Sequence, residues 1–506
     1  DATSGATIYF DPALAGQTIV LSSEIVINKR LTIDGTALDP HVSISGNHAV
    51  RIFSIGSNYT VKLFSLILKD GMMSGTSYTK YGGAIYTNSY STVMITDVDF
   101  VGNTAYQGGA IYVSSSANAT ILESRFSDNT AQMSGGAIST RNDLTVRNSV
   151  FTHNVARGGG AIEITDTGTY LIENNAFIDN TADSAGAIAI TQPGFVDPDL
   201  YTGTIRKNLF SGNSATSIYG SGGAIRIVYA SSVPTVIENN TFYANQAKDV
   251  GGAIYTEGTV LLRNNTFSEN QADRAGGNAG GSVYFSSAGT FTELFNNIFA
   301  NNTGGGECYE SGPNSWIRGN NNLVEDGSAV CMPVLTGDPL LGPLTDHGGP
   351  TQTMALLPGS PAIDAGDNTN CPETDQRGMT RPNDGNNDGS AICDIGAYEF
   401  GYYTISGNAG VAGATLSYFD GVAKTVTADN HGDYSIGVLV GWSGVVTPYK
   451  PGYIFSPASK TYSSITADQS TEDYTATVTD ITFTISGNAG VAGATLSYED
   501  ETLKTV

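Results

Sequence analysis

The chain has 506 residues and a formal net charge of −25, with charged residues making up only 14% of it. That balance excludes a nucleic-acid partner, because phosphate binding needs Lys/Arg patches, and it disfavours anionic membrane surfaces. No apolar run of about 18 residues occurs, so membrane insertion through a helix is not expected either. The 62 glycines and the plentiful β-branched and aromatic residues point to a β-rich fold with many tight turns.

Residues 1–80 contain short alternating apolar runs, among them Ile8-Tyr9-Phe10, Ile19-Val20-Leu21, Ile25-Val26-Ile27, Leu31-Thr32-Ile33, Val42-Ser43-Ile44 and Val61-Lys62-Leu63. Each is too short for a helix and reads as a strand. Asp1 opens straight into polar sequence, which is read as lying close to a mature terminus left by signal cleavage.

From residue 81 to 305 a small-residue tetrad recurs every 24 to 37 residues, most often near 26. It stands at Gly82-Gly83-Ala84-Ile85, Gly108-Gly109-Ala110-Ile111, Gly135-Gly136-Ala137-Ile138 and Gly159-Gly160-Ala161-Ile162, and continues with drift from Ala185, Gly222, Gly251 and Gly280. Between tetrads lies F-x-x-N, at Phe100/Asn103, Phe126/Asn129, Phe151/Asn154, Phe177/Asn180, Phe210/Asn213, Phe242/Asn245, Phe267/Asn270 and Phe299/Asn302. One such unit cannot bury its own apolar side, whereas units stacked coil on coil share a continuous core. In-register stacking places like residues about 4.8 Å apart. Phe then stacks on Phe, and each buried Asn bridges to its neighbours as a ladder. The expected fold is all-β: a right-handed parallel β-helix, with residues 1–80 as its first coils and cap. Eleven to thirteen coils would span about 55–60 Å. A propeller would need blades of about 40 residues, and no 3.6-residue periodicity supports a helical solenoid.

Residues 306–400 are irregular and hold all four cysteines, Cys308, Cys331, Cys371 and Cys393. They fall as two pairs, each closing a loop of about twenty residues, which suits disulfides formed in an oxidising compartment. A metal site is the alternative, but no C-x-x-C spacing occurs and there are only five His.

The recurring G-G-A-I and F-x-x-N elements resemble the repeats of the polymorphic outer-membrane protein family over residues 80–300. Downstream, Gly342-Pro343-Leu344-Thr345-Asp346, Gly348-Gly349-Pro350-Thr351-Gln352-Thr353, Leu357 through Asp364, Thr374-Asp375-Gln376-Arg377-Gly378 and Cys393 through Glu399 resemble the choice-of-anchor Q domain. That resemblance implies a secreted protein tethered at the cell surface, and it implies no reaction. The outer-membrane family usually ends in a translocating β-barrel; none is read within these 506 residues, so autotransport is not the expectation.

From Tyr403 the grammar changes. Tyr403-Thr404-Ile405-Ser406-Gly407-Asn408 through Tyr418 recurs 80 residues later as Phe483-Thr484-Ile485-Ser486-Gly487-Asn488 through Tyr498. About seven short strands over residues 401–480 suggest an Ig-like sandwich. Residues 481–506 hold only the opening strands of a second copy. Either the polypeptide runs on beyond Val506, or Phe483, Ile485, Leu496 and Tyr498 add strands to a neighbouring subunit and polymerise the protein.

Many parallel β-helices cleave acidic polysaccharides, which needs carboxylates clustered on adjacent coils with Arg or Lys beside them. Here Asp97, Asp99, Glu123, Asp128, Glu163, Asp166 and Glu173 look scattered, and Arg125, Arg147 and Arg157 share no obvious face with them. Glu163 and Asp166 are the pair to inspect for glycoside hydrolysis, although three positions apart on a strand they point to opposite faces. Asp384, Asn386 and Asp388, in Asp384-Gly385-Asn386-Asn387-Asp388-Gly389, place three oxygens at alternate positions of a glycine-relieved loop, which suits Ca²⁺ with Asp394 contributing nearby. The same composition also forms a turn with no metal. N-x-S/T sequons occur at Asn58 and Asn118. The expectation is a non-enzymatic extracellular surface protein, adhesive or filament-forming, with self-association and cell-surface glycans as partners. The rival is a β-helix that binds or cleaves polysaccharide.

Overall fold

A computed structural model describes residues 2–73, 80–165, 168–191, 203–228, 233–286, 291–312, 316–386, 388–439, 441–463, 465, 468–479, 486–500 and 502–505. The polypeptide divides into two compact units, Asp1–Gly401 and Tyr402–Val506. Among the described residues, both are built from strands, with three short 3₁₀ turns.

The first unit is a right-handed parallel β-helix, as the repeat requires. One coil shows its plan: strands Ile111–Val113, Asn118–Leu122, Arg125–Ser127 and Thr130–Ser134 follow one another around the solenoid. Each strand pairs in parallel with its counterpart in the coils before and after, as in Ile85↔Ile111↔Ile138↔Ile162. Three left-handed corners turn this coil. One precedes the Arg125 strand at Glu123 (φ 51°), one follows it at Asp128 (φ 57°), and one opens the tetrad at Gly135 (φ 62°).

The tetrad's second glycine answers to a different constraint. A Cβ on Gly136 would lie 2.0 Å from the Gly160 carbonyl oxygen of the next coil, so only hydrogen fits where two backbones meet. The following Ala and Ile turn inward and are wholly buried from Ala84-Ile85 to Ala253-Ile254.

The eight phenylalanines form one continuous buried stack, with neighbouring ring centroids 4.6–4.9 Å apart and rings nearly parallel. Each neighbouring pair contributes about 0.5–1.5 kcal/mol beyond the area it buries. The asparagines of F-x-x-N form the expected ladder. Asn103 Nδ2 donates to Asn129 Oδ1 at 3.0 Å, and the pattern repeats through Asn154, Asn180, Asn213, Asn245, Asn270 and Asn302. Each Oδ1 from Asn129 onward also accepts the backbone N–H of the Asn one coil earlier. At the last rung no ninth Asn follows. Glu307 takes its place: Asn302 Nδ2 donates to Glu307 Oε2 at 2.7 Å, and Ser282 Oγ donates to the same oxygen at 3.0 Å.

A second ladder goes beyond the sequence expectation. Asn175, Asn208, Asn240, Asn265, Asn297 and Asn322 are hydrogen-bonded in the same way at 3.0–3.1 Å. Its signal is present in the sequence as N-x-F for the first five, two positions before the phenylalanine, while Asn322 precedes Val324; Ser124 and Ser149 hold the position in the two preceding coils.

Cys308–Cys331 and Cys371–Cys393 are disulfide-bonded, as the pairing expectation had it, and no cysteine is free. Two disulfides suggest an extracellular or secreted protein.

The second unit is antiparallel. Tyr402–Asn408 pairs with Asp433–Leu439. Thr415–Asp420 pairs with both Val422–Thr427 and Gly444–Tyr449, and Tyr453–Ser456 pairs with Thr475–Val478. Its own core holds Ile405, Leu416, Ile436, Val438, Trp442, Val446, Phe455 and Tyr474. Of the four residues considered for assembly, Phe483 and Ile485 lie outside the described residues, while Leu496 and Tyr498 are exposed.

Candidate functional site

On the strand that carries Asn118–Leu122 in one coil and Leu144–Arg147 in the next, residues alternate between core and solvent. Val146, Ile172, Ile205, Ile237 and Leu262 face inward and are fully buried. The residues on either side of them therefore line the outer face in two parallel rows.

The first row is uncharged and nearly flat: Thr120, Thr145, Leu171, Thr204, Val236 and Leu261 lie in register on six successive coils. Beside it runs a charged row, Arg147, Glu173, Arg206, Glu238 and Arg263, one residue per coil. Glu173 is held from both sides, by Arg147 Nε at 2.9 Å and Arg206 Nε at 2.7 Å. Glu238 is held by Arg263 Nε at 2.5 Å and faces Arg206 Nη1 at 3.8 Å. The glutamates are the covered members, with side chains 12% and 7% exposed, while Arg147, Arg206 and Arg263 remain 43%, 37% and 30% exposed. A shallow groove of about 310 Å³ opens over the uncharged row, lined by Thr145, Thr169, Tyr170, Leu171, Thr204 and Arg206.

This row corrects the expectation that acids and bases share no face. Its five members each stand four residues before a phenylalanine of the stack, so the strand register aligns them across coils. The insertions that vary the repeat length fall elsewhere in the coil and leave that offset intact. Counting from phenylalanine rather than from the tetrad would have found them.

Next to the row stands Lys207. Its ammonium donates to Thr374 Oγ1 at 2.6 Å, and burial pulls its pKa below the usual lysine range, against the pull of Glu173. Thr374 belongs to residues 338–400, which return along the solenoid and clasp it. Within the clasp, signature residues take part in two buried ion pairs, Asp375 with Arg377 at 2.7 Å and Glu399 with Arg381, which lies outside the signature, at 3.2 Å, all four side chains at most 1% exposed. Gln376 receives a hydrogen bond from Thr241 Oγ1 at 2.7 Å and donates to Thr351 Oγ1 at 2.9 Å. The signature thus joins the clasp to the coils.

Of the four residues considered for calcium, three lie on one exposed loop and the fourth in the clasp, with Asp364 bonded to both parts. Asp384, Asn386 and Asp388 share one loop, where Asp384 accepts the N–H groups of Asp388 and Gly389 and Asn386 Oδ1 accepts that of Asp388. Asp394 instead is buried in the clasp, accepting the N–H groups of Asp364 (2.7 Å) and Phe400. Burial, reinforced by the neighbouring Glu399 charge, pushes its carboxyl well above the usual range.

Glu163 is buried on the outer side of the tetrad sheet, accepting Gly159 N–H at 2.7 Å and Thr191 Oγ1 at 3.2 Å, and burial raises its pKa. Asp166 lies outside the described residues. Of the other acids considered, Glu173 alone joins the charged row.

No curated protein matches the sequence. Among solved structures, the PL6 family alginate lyase AlyGC is similar with a TM-score of 0.36 and 14% identity, over 69% of this chain and 55% of that one. This protein therefore spans about half the length of that one. The family model described as right handed beta helix region matches residues 41–196, 81–232 and 159–322, together more than half of the sequence, and the chain belongs to that family.

Proposed function

We propose that this protein is an extracellular, non-enzymatic scaffold that holds an acidic polysaccharide along the outer face of its β-helix. The observation that carries the reading is the spacing of Arg147, Arg206 and Arg263 on alternate coils, about 10 Å apart, beside a flat row of Thr, Leu and Val. The coil rise is close to the length of one pyranose in an extended glycan, so a polysaccharide lying along the solenoid meets the same surface at each residue. Carboxylates on every second sugar would then meet one guanidinium each, in the geometry that suits Arg.

The formal charge of −25 does not oppose this. Charges more than about 8 Å apart are screened at physiological salt, so the local arginines dominate. Binding rather than cleavage is favoured because Glu173 and Glu238 are covered and each is engaged by guanidinium groups, so neither carboxylate faces a bound glycan directly. In this reading residues 402–479 are an Ig-like module, and the protein is displayed at the cell surface.

The test is titration calorimetry with polygalacturonate or alginate hexamers at two salt concentrations. Saturable, salt-sensitive binding is expected, weakened at least ten-fold in Arg147→Gln/Arg206→Gln, with no unsaturated or reducing-end product. Absence of binding would refute the reading, and product formation would replace the scaffold with a polysaccharide-cleaving enzyme.

A further inference from the structure

The left-handed corner that precedes each phenylalanine strand carries one side chain per coil, and five consecutive corners grip the backbone of the clasp or its Thr374. Asn321 Nδ2 donates to Ala365 O at 2.8 Å. Asn296 engages Asp367 twice, accepting its N–H at 2.7 Å and donating to its C=O at 3.2 Å. Asn264 Nδ2 donates to Asp394 O at 3.0 Å, Asn239 Nδ2 donates to Thr374 O at 2.8 Å, and Lys207 donates to the Thr374 hydroxyl. These corners share one backbone conformation, with φ between 50° and 58°.

The same corner continues in the three coils toward the N-terminus as Asn174, Asn148 and Glu123, with φ of 59°, 51° and 51°. Asn148 and Glu123 are exposed. Asn174 Oδ1 is shielded from solvent, and no group among the described residues donates to it. One coil further on, Asp97 is already occupied, by Ser65 Oγ at 2.7 Å and by His41. The open stretch is thus bounded: three coils, about 10 Å from first corner to last, directly continuing the row that holds the clasp.

We propose that Asn174 and Asn148 are a docking track for a second extended polypeptide segment, laid end to end with the clasp. A carboxamide presents an N–H donor and a C=O acceptor side by side and so matches a peptide group. Asn296 shows the pairing in full, accepting the N–H and donating to the C=O of one clasp residue. A polypeptide is favoured over a glycan because, from Asn239 to Asn321, the corners bind backbone carbonyl and N–H groups. This inference does not rest on the glycan reading, whose arginines form the neighbouring row.

The probe is an acetylated, fluorescently labelled peptide copying residues 362–369, the stretch that presents Ala365 and Asp367 to two consecutive corners. Anisotropy titration against the full-length protein is expected to saturate. Binding should weaken at least ten-fold in Asn148→Gly/Asn174→Gly, which removes both carboxamides while glycine keeps the left-handed corners unstrained. Asn58→Gly, an exposed left-handed asparagine elsewhere, should bind as the parent does, as should Arg147→Gln. No saturable binding, or equal binding by the double variant, overturns the proposal. So does an oligouronate whose binding depends on Asn148 and Asn174 where the peptide's does not.

Discussion

Glu307→Gln tests how the long ladder ends. Eight asparagines form a one-way series of hydrogen bonds whose donor end points at the Glu307 carboxylate, and Glu307 is only 2% exposed. Burial outweighs the help of its donors Asn302 and Ser282, and the nearby Asp326 charge adds to the effect, so its pKa rises from 4.5 to about 7. A carboxyl whose folded pKa is raised stabilises the fold fully below its unfolded pKa and loses that contribution as pH climbs through the folded value. The window runs from about pH 4.5 to about pH 7. A shift of that size corresponds to about 3 kcal/mol, at about 1.4 kcal/mol per unit. Glutamine keeps an acceptor for Asn302 and cannot ionise. Denaturant melts of the parent and Glu307→Gln at pH 5 and pH 8 should therefore diverge: near equality at pH 5, and the variant ahead by about 3 kcal/mol at pH 8. Parallel behaviour at both pH values would refute the assignment of Glu307 as a terminus whose burial outweighs its donors.

Phe177→Ala, in the middle of the stack, should cost about 3–5 kcal/mol in the same melts, since it opens a cavity between Phe151 and Phe210. Gly136→Ala should fail to give folded protein by circular dichroism, because its Cβ would sit 2.0 Å from the Gly160 carbonyl. Ala185→Gly should instead stabilise by about 1 kcal/mol, since Ala185 holds the tetrad's first position at φ 62° at a cost that glycine avoids. Reducing the disulfides, which close loops with separations of 23 and 22 residues, should lower stability by about 3 kcal/mol each on the loop-entropy model, measured by melts with and without reductant.

Periodicity made the solenoid legible without coordinates. Like residues recur at like offsets because each coil sits on the last, so G-G-A-I, F-x-x-N and the strand order are a one-dimensional record of the fold. The cysteine pairing was legible too, because two pairs close in sequence leave little choice. What the sequence could not convey lies in contacts between residues far apart in it. Asp375, Arg377 and Glu399 stand in the sequence only as parts of a signature, and their burial as ion pairs inside the clasp comes from the tertiary structure. Arg147, Glu173, Arg206, Glu238 and Arg263 look scattered because insertions change the distance between them, while the parallel register holds them one coil apart. Local composition sets which residues can turn, stack or pair; the tertiary register decides which of them meet, since hydrogen bonding between strands tolerates inserted loops but not a slipped residue.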